Sequence, residues 1–232
     1  MNFSKLNNPV YSALSETHQD YCITFGNLKI YQPETNPFGA FENIENSEAE
    51  LDQYLELAPK FFIFSKEKPK FSDKLEMLEV SINQMVSLSE INLPETHEIV
   101  HLNNRFENEL YELVQTYYPG FFRPKTSVLG NYYGIFDDGK LVSVTGERFQ
   151  NNDFCEISAV VTNSDYTGKG YAQQLIAFVN NKILKNGKTP FLHVDPKNTR
   201  AISVYEKLGF ILRKPVNIFY FRKNKNQSHK EI

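Results

Sequence analysis

Cysteine is scarce in this sequence, which also has neither a long apolar run nor an excess of positive charge. The two cysteines, Cys22 and Cys155, are too few and too far apart to suggest a disulfide framework or a metal cluster. No stretch approaches the ~18 apolar residues of a membrane span, and residues 1–20 have no apolar core of a secretory signal. The net charge of −3 gives no overall reason to expect a nucleic-acid partner. We therefore expect a soluble cytoplasmic protein that binds no metal, no nucleic acid and no membrane.

The composition is that of an ordinary globular chain. Its 232 residues are 41% hydrophobic and 23% charged, which suits one large domain or two small ones. In residues 1–95 we predict strands at Ile23–Tyr31, Phe61–Ser65 and Leu75–Ile82, and a helix from Ser47 to about Leu57 that opens with a capping-box pattern. This part presents no reactive set of side chains. At the other end, the basic run Arg222–Lys230 is typical of a solvated tail.

The part of the chain after Pro94 has clearer patterns. Residues 96–102 are interpreted as a strand or a helix start, and apolar residues at helical spacing predict a helix that Pro119 and Gly120 end. The remaining segments predict three antiparallel strands, then helix, strand, helix and strand, which is an α+β order. The strands are Asn131–Phe136, Lys140–Arg148, Phe154–Thr162, Phe191–Val194 and Val216–Phe221, and the helices are Phe106–Gln115, Ala172–Ile183 and Asn198–Leu208.

A glycine turn at Thr167–Ala172 joins the third antiparallel strand to the next helix. Gly168 and Gly170 let backbone N–H groups converge and the helix N-terminus adds partial positive charge, an arrangement that binds phosphate; Lys169 can add a point charge. Taken alone, a purely structural turn is an equally good interpretation. The turn is not a P-loop, because no Gly-Lys-Ser/Thr follows at the required spacing. Nor is it a dinucleotide fingerprint, because a third glycine is missing.

Three segments together closely resemble the GNAT superfamily of N-acetyltransferases. They are Glu156–Thr162, Thr167–Ala172 and the series Asn198, Tyr205 and Leu208–Phe210, which stand in the family's order and spacing. The resemblance covers about residues 96–222. It implies an α+β GNAT fold, a mixed and mostly antiparallel central sheet with flanking helices, over residues 96–232. A small N-terminal α/β domain or extension over residues 1–95 would precede it and help to shape the acceptor site.

Within the superfamily, one branch is the most similar. Gly146–Arg148, Glu156–Ser158 and Phe191–Val194 resemble the branch related to glycine N-acyltransferases. The segments Asn8–Val10 and Asn36–Phe38 are similar to N-terminal extensions of bacterial members.

The resemblance implies that the co-substrate is acetyl-CoA, whose pantetheine arm would insert between two splayed strands. The backbone of Val160 and Thr162 would pair with the pantetheine amides, and an N–H near Val160 or Val161 would polarise the thioester carbonyl. Asn198 would contact the arm. The pyrophosphate would lie on the turn residues Thr167, Gly168, Lys169, Gly170, Tyr171 and Ala172.

Two further positions follow from the same resemblance. Thr167 stands where the family has Arg or Gln, so we expect weaker cofactor affinity, not its loss, because backbone N–H groups supply most of the binding. Tyr205 would protonate the departing thiolate, since a phenol with a pKa of ~10 can donate to a thiolate whose conjugate acid has a pKa of ~8.5.

The attacking amine must lose a proton, which requires a base. If Phe149 lies opposite Phe154 in a hairpin, Glu147 falls opposite Glu156, with Cβ atoms ~5 Å apart. Two carboxylates at that distance raise one pKa toward a useful range. The alternative, equally weighted, pairs both carboxylates with neighbouring Lys or Arg. His193 is a third candidate, although such a strand histidine is more often a packed, hydrogen-bonded residue.

A competing motif lies at His97–His101, which matches the H-E-x-x-H zinc-protease signature. On a helix both imidazoles could reach one ion. The extended motif fails, however, because Asn104 and Glu107 stand where it needs Gly and His. The resemblance instead makes residues 96–102 a strand, on which the two histidines would be roughly 13 Å apart. We therefore disfavour a protease.

The sequence thus predicts an N-acetyltransferase that moves an acetyl group from acetyl-CoA to a primary amine of a small molecule or peptide. A non-catalytic acyl-CoA-binding regulatory module is the alternative. The identity of the amine, the length of the acyl group and the choice between monomer and homodimer stay open.

Overall fold

The structure, a computed structural model, describes residues 2–225, and most of the basic run at the chain end lies outside them. The described residues form one eleven-stranded sheet with five α-helices packed around it. The strands are β1 (Cys22–Phe25), β2 (Leu28–Tyr31), β3 (Phe38–Phe41), β4 (Lys60–Phe64), β5 (Leu75–Val86), β6 (Val100–His101), β7 (Tyr132–Asp137), β8 (Lys140–Gln150), β9 (Phe154–Thr162), β10 (Thr189–Val194) and β11 (Ile211–Lys223). The helices are α1 (Pro9–Ser15), α2 (Ser47–Leu55), α3 (Glu107–Tyr117), α4 (Tyr171–Lys185) and α5 (Thr199–Lys207).

The strand order divides the sheet into two halves of matching topology. The order is β1-β2-β3-β4-β11-β5-β10-β9-β8-β7-β6, so β1 to β5 and β7 to β11 occupy equivalent places on either side of the β11–β5 pair. Each half contains a parallel strand pair joined by a helix, β3–α2–β4 and β9–α4–β10. The last strand of each half crosses into the other half, because β5 lies next to β10 and β11 lies next to β4. We call β1–β5 with α1 and α2 the N-terminal half, and the remainder the C-terminal half.

Local chemistry explains the elements that surround the site. At the β7–β8 turn, Asp138 and Gly139 have φ of 51° and 76°, the positive values that a tight hairpin turn requires. Helix α4 buries an apolar stripe against the sheet and ends before Gly187, whose φ is 75°. The stripe comprises Leu175, Ile176, Val179 and Ile183, all at most 1% exposed.

The predicted elements are largely confirmed, with two corrections. The α+β fold class and the mixed, mostly antiparallel sheet are as expected. Ile23–Tyr31 is not one strand, because Gly26, with φ of 54°, turns the chain into the β1–β2 hairpin. The strand expected at residues 96–102 is reduced to Val100–His101. Strands from before and after residue 95 belong to the same sheet, and the division of the chain into two domains there remains a prediction.

No helix within residues 2–225 is long and apolar enough to span a membrane.

Candidate active site

The site lies where β9 and β10 separate. Their parallel pairing begins at Phe154 and Thr189 and ends at Glu156 and Phe191. Beyond that point β10 pairs with β5 on its other side, as far as Val194 opposite Asn83. The edge of β9 that follows Glu156 is therefore open, as the splayed strands of the predicted fold require.

A β-bulge reshapes this open edge. On β8, Val144 and Gly146 are two residues apart, whereas their partners on β9, Val161 and Ser158, are three residues apart. The β9 segment with the extra residue includes Ala159, whose backbone is in the left-handed region with φ of 51°. A bulge of this kind bends the strand and interrupts the ladder, so backbone groups near Val160 are turned away from regular pairing with β8.

The glycine turn connects the open edge to α4. Gly168 and Gly170 have φ of 83° and 82°, and a Cβ added to either would meet nothing within 4 Å. Glycine is thus required for the backbone conformation, and the space beside the turn is free for a ligand. Gly170 is the N-cap of α4, whose first-turn N–H groups have no partner inside the helix. The loop is anchored to α3 by the Tyr117 hydroxyl, which accepts a hydrogen bond from Ser164 N at 2.7 Å.

A cavity of about 420 Å³, which we call the turn cavity, lies beside this turn. Nine of the ten residues predicted to bind the cofactor line it, so these residues are close together in the fold. They are Val160, Val161, Thr162, Thr167, Gly168, Gly170, Tyr171, Ala172 and Asn198. An open turn with free N–H groups at a helix N-terminus, beside an unpaired strand edge, fits a phosphate-bearing ligand with an extended arm.

The tenth residue, Lys169, has a different position. Its ammonium forms an ion pair with Asp137 Oδ2 at 3.0 Å and lies over the ring of Tyr166 at 4.9 Å. The positive side chain in the cavity wall is instead Arg200 in the first turn of α5, which sequence reasoning missed. Its place two residues after the family Asn198 was the available signal.

A second cavity of about 410 Å³ lies along residues 156–160 of β9, and we call it the aromatic cavity. Its walls come from both halves of the molecule, including β3, β4 and β5 of the N-terminal half and β8 to β11 of the C-terminal half. The two cavities share four lining residues, which mark the point where they meet: Tyr118, Val160, Asn198 and Tyr205.

Polar side chains in the wall of the aromatic cavity form a buried network. Arg148 donates to both carboxylate oxygens of Glu156, with Nε–Oε2 at 2.7 Å and Nη2–Oε1 at 2.9 Å. Glu156 Oε1 also lies 2.7 Å from His193 Nδ1. His193 Nε2 is 3.1 Å from Gln84 Nε2, whose Oε1 accepts from Arg213 at 2.8 Å. Gln84 therefore presents its amide N–H to His193, which makes Nε2 the acceptor and Nδ1–H the donor to Glu156.

This network determines the charge of Glu156. Burial of the side chain, 1% exposed, opposes ionisation, but the Arg148 charge and the hydrogen bonds from His193 and Arg148 outweigh it and lower the pKa of Glu156 to about 2. Glu156 is therefore an ionised anchor and a weak base at neutral pH.

The predicted pairing of Glu147 with Glu156 is wrong. Glu147 lies opposite Ile157, because the strand register shifts between Glu147 and Gln150 at a second irregularity of the β8–β9 pair. Its carboxylate accepts from Asn131 Nδ2 at 2.8 Å, outside both cavities. The alternative prediction, that both carboxylates pair with a neighbouring Lys or Arg, is confirmed for Glu156, which pairs with Arg148. It is not confirmed for Glu147, whose carboxylate is bonded by Asn131.

Tyr205 and Asn198 occupy the junction between the cavities. Tyr205 is 7% exposed, and burial raises the pKa of its phenol, which keeps the hydroxyl protonated and able to donate. Asn198 is the N-cap of α5, with Oδ1 accepting from Ala201 N at 3.1 Å, so a structural role accompanies its place in the wall.

The H-E-x-x-H segment does not form a helix. His101 lies in β6, and His97 precedes it at a bend, where its backbone N–H donates to Gln174 Oε1 at 3.2 Å. Within residues 2–225, no group of three or more His, Cys, Asp or Glu side chains is placed to hold a metal ion.

Comparison with solved structures identifies the fold. A protein of Novosphingobium aromaticivorans assigned as an acetyltransferase of the GNAT family superposes with a TM-score of 0.86 at 26% identity, over 95% of this chain and 99% of that one. A GCN5-related N-acetyltransferase-like protein of Streptococcus suis has a TM-score of 0.65 at 16% identity, over 94% and 96% of the two chains. A GCN5-related N-acetyltransferase of Kribbella flavida has a TM-score of 0.59 at 13% identity, over 91% and 95%. The sequence matches none of the curated proteins.

These likenesses define the class at the level of the fold: the chain has the GNAT fold, and the Novosphingobium aromaticivorans protein that shares it over nearly its whole length is assigned as an acetyltransferase of the GNAT family. Within that class, residues 132–218 match the family described as FR47-like protein. The matched segment runs from β7 into β11 and contains the bulge, the glycine turn, Glu156, His193 and Tyr205.

Proposed function

We propose that this protein is an N-acetyltransferase that moves the acetyl group of acetyl-CoA to a primary amine. One observation carries the proposal: a cavity suited to a phosphate-bearing ligand and a second, separate cavity meet at the open edge of β9, beside the buried Tyr205. A transferase needs two substrates to meet at one point, whereas a protein that only binds acyl-CoA does not need the second cavity.

The C-terminal half holds the donor. N–H groups of Gly168 to Ala172 and the Arg200 guanidinium are placed to bind pyrophosphate, and the backbone of Val160 and Thr162 to pair with the pantetheine amides. Bound acetyl-CoA supplies a thioester carbon that an amine can attack. An N–H of the bulged segment near Val160 would stabilise the charge that develops on the carbonyl oxygen.

We propose that His193 is the base that accepts the proton lost by the attacking amine. Its ring lines the aromatic cavity, and its tautomer makes Nε2 the accepting nitrogen. Nε2 accepts from the buried Gln84 amide in this structure, so the ring must exchange that bond for one from the amine. Glu156, held ionised by Arg148, stabilises the imidazolium that forms and keeps the ring in place. His193 thus takes the role of general base that the sequence had predicted for Glu156 or Glu147. Tyr205 donates its hydroxyl proton to the departing thiolate.

Several finer points belong to the same proposal. The N-terminal half shapes the acceptor side, acetyl is the transferred group, and the protein acts in the cytoplasm. The branch related to glycine N-acyltransferases and a homodimer remain predictions.

The test combines calorimetry with acetyl-CoA and a free-thiol assay over a panel of amines. We expect acetyl-CoA binding and amine-dependent thiol release. His193→Gln should lower kcat about 100-fold or more while keeping the Kd for acetyl-CoA. Full turnover in that variant would remove His193 as the base. Tight binding without turnover on any amine would favour the regulatory module instead.

A further inference from the structure

The geometry points to a specific acceptor class: the aromatic cavity binds the body of an amine that carries an aromatic ring and has no carboxylate. This inference rests on the proposed function, in which that cavity is the acceptor side of the site.

The size of the cavity requires an acceptor larger than a simple alkylamine. Its volume of about 410 Å³ far exceeds that of an acetyl group and a small amine together. Aromatic rings supply much of its wall: Phe38, Phe62, Phe64, Phe121, Phe122 and Tyr132. Ligand sites of this size gain most of their affinity from apolar burial.

The rings are arranged to stack. Phe62 on β4 stacks on Phe38 with centroids 5.0 Å apart, and on Phe121 with centroids 4.9 Å apart. Phe121 comes from the loop after α3 and remains 42% exposed, so the C-terminal half places one ring over the rings of the N-terminal half. A ligand ring that joins this stack gains area and favourable ring geometry, and ring faces attract the ammonium of an amine.

The charges in the cavity disfavour a carboxylate. Among the described residues that line it, the Arg148 guanidinium is the one side chain with a fixed positive charge, and Glu156 accepts from two of its nitrogens. The ring centroids of Phe149 and Phe38 lie 4.2 Å and 4.9 Å from the guanidinium carbon of Arg148. Asp195 adds a negative charge to the wall. A carboxylate would lose water without meeting an unpaired cation, whereas an ammonium meets the Asp195 carboxylate in the same wall.

The alternative occupant is a long acyl chain on the donor. A hydrocarbon chain gains nothing from the polar wall groups Ser158 and Asp195, whereas an amine can hydrogen-bond to them. The same wall also contains His193, next to which the reacting nitrogen must lie.

The experiment compares three acceptors that differ in one feature each: phenethylamine, ethylamine without the ring, and phenylalanine with an added carboxylate. We expect a KM for phenethylamine about tenfold or more below that of ethylamine, and a KM for phenylalanine about tenfold or more above that of phenethylamine. Calorimetry with phenethylamine alone measures binding without acetyl-CoA.

Two variants locate the binding. Phe62→Ala should raise the KM for phenethylamine about tenfold, and the KM for ethylamine by a smaller factor. Val80→Phe, which fills the cavity from β5, should weaken phenethylamine in the same way without removing a ring contact. The matched control is Phe71→Ala, a half-buried Phe that packs on Phe221 outside the cavity and should alter neither amine.

The inference fails if ethylamine and phenethylamine behave alike, or if octanoyl-CoA is preferred to acetyl-CoA by a factor that Phe62→Ala abolishes. If hydrophilic amines are acetylated and phenethylamine does not bind, the inference fails and the proposed function stands. If phenethylamine binds with dependence on Phe62 but acetyl-CoA is neither bound nor consumed, the proposed function fails and the cavity assignment stands.

Discussion

The β3–α2–β4 unit of the N-terminal half and the β9–α4–β10 unit of the C-terminal half share one topology but differ in every feature that a phosphate-bearing ligand needs. β3 and β4 stay paired from Phe38–Phe62 to Ala40–Phe64, so no open edge forms. The segment between β3 and α2, residues 42–46, contains no glycine. The first turn of α2 has Glu48 and Glu50, which repel an anion, whereas the first turn of α4 has no acidic residue.

The comparison teaches that a strand–helix–strand connection does not make a cofactor site. The bulge, the splay and the glycine turn make it, and only the C-terminal unit has them. The N-terminal unit uses its strands differently, since Phe38, Phe62 and Phe64 become walls of the aromatic cavity.

The largest expected effect concerns the Arg148–Glu156–His193 network, which links the C-terminal half to Gln84 of the N-terminal half. The pKa of Glu156 falls from 4.5 to about 2 on folding, so its contribution is present above about pH 4.5 and is lost as the pH falls toward 2. Glu156→Gln should therefore lower the free energy of unfolding by about 3 kcal/mol at pH 7, a loss that shrinks toward zero near pH 2. Urea unfolding at pH 7, 5 and 3 measures it.

The control for this prediction is Glu48→Gln, an exposed carboxylate on α2. It should change stability little at any of these pH values. A loss of equal size at pH 3 and pH 7 in Glu156→Gln would mean that packing, not the ionised carboxylate, accounts for the effect.

The next prediction tests whether the thiolate is protonated at the junction of the two cavities, where Tyr205 lies. Tyr205→Phe removes the hydroxyl that protonates the thiolate, and kcat should fall about 10- to 100-fold while the KM for acetyl-CoA changes less than about threefold. Steady-state thiol release measures both constants. Tyr11→Phe, on α1 of the N-terminal half, is the control and should behave as wild type. An unchanged kcat in Tyr205→Phe would mean that water, and not Tyr205, protonates the departing thiolate.

A smaller effect separates the two ends of α4. A valine at Gly170 must adopt a left-handed backbone, which costs about 1–2 kcal/mol and reshapes the turn. Gly170→Val should raise the Kd for acetyl-CoA about tenfold, measured by calorimetry. Gly187→Val, at φ of 75° beyond the other end of the helix, should lose similar stability and keep the Kd. Equal Kd values for acetyl-CoA in both variants would mean that the glycine turn does not contribute to cofactor binding.

The smallest expected effect comes from a substitution that gives the first turn of α4 an acidic residue, as in α2. Gln173 lies in the first turn of α4 and lines the turn cavity. Gln173→Glu should weaken acetyl-CoA binding about threefold at low salt and less at high salt, because the new charge opposes the phosphates at the helix N-terminus. The same substitution at exposed Gln53 on α2 should have no effect on binding. A loss that does not depend on salt would point to sterics instead of charge.

Features set by neighbouring residues could be predicted from the sequence. Gly168 and Gly170 have the positive φ values expected of the glycine turn, and the strand before it and the helix after it follow. The position of β5 between β10 and β11 could not be predicted, because it depends on pairing between segments more than a hundred residues apart.

The candidate site shows the same division. The turn residues and Tyr205 were found through local motifs, whereas the Glu147–Glu156 pair failed because a strand register depends on irregularities that no local pattern reveals. Arg200 and the aromatic wall were missed since each gains meaning only from the elements packed around it.

The bulge at Ala159 has a consequence for how β9 alternates. Before it, odd-numbered Cys155 and Ile157 pack with α4, whereas after it even-numbered Val160 packs on that side and odd-numbered Val161 packs with α3. The strand thus consists of two segments whose residue numbering is in opposite phase but which share the core against α4. Deleting Ala159 would restore strict alternation and leave Val160 and Val161 on their present faces, so this residue sets the bend of the strand and not the core in which each side chain packs.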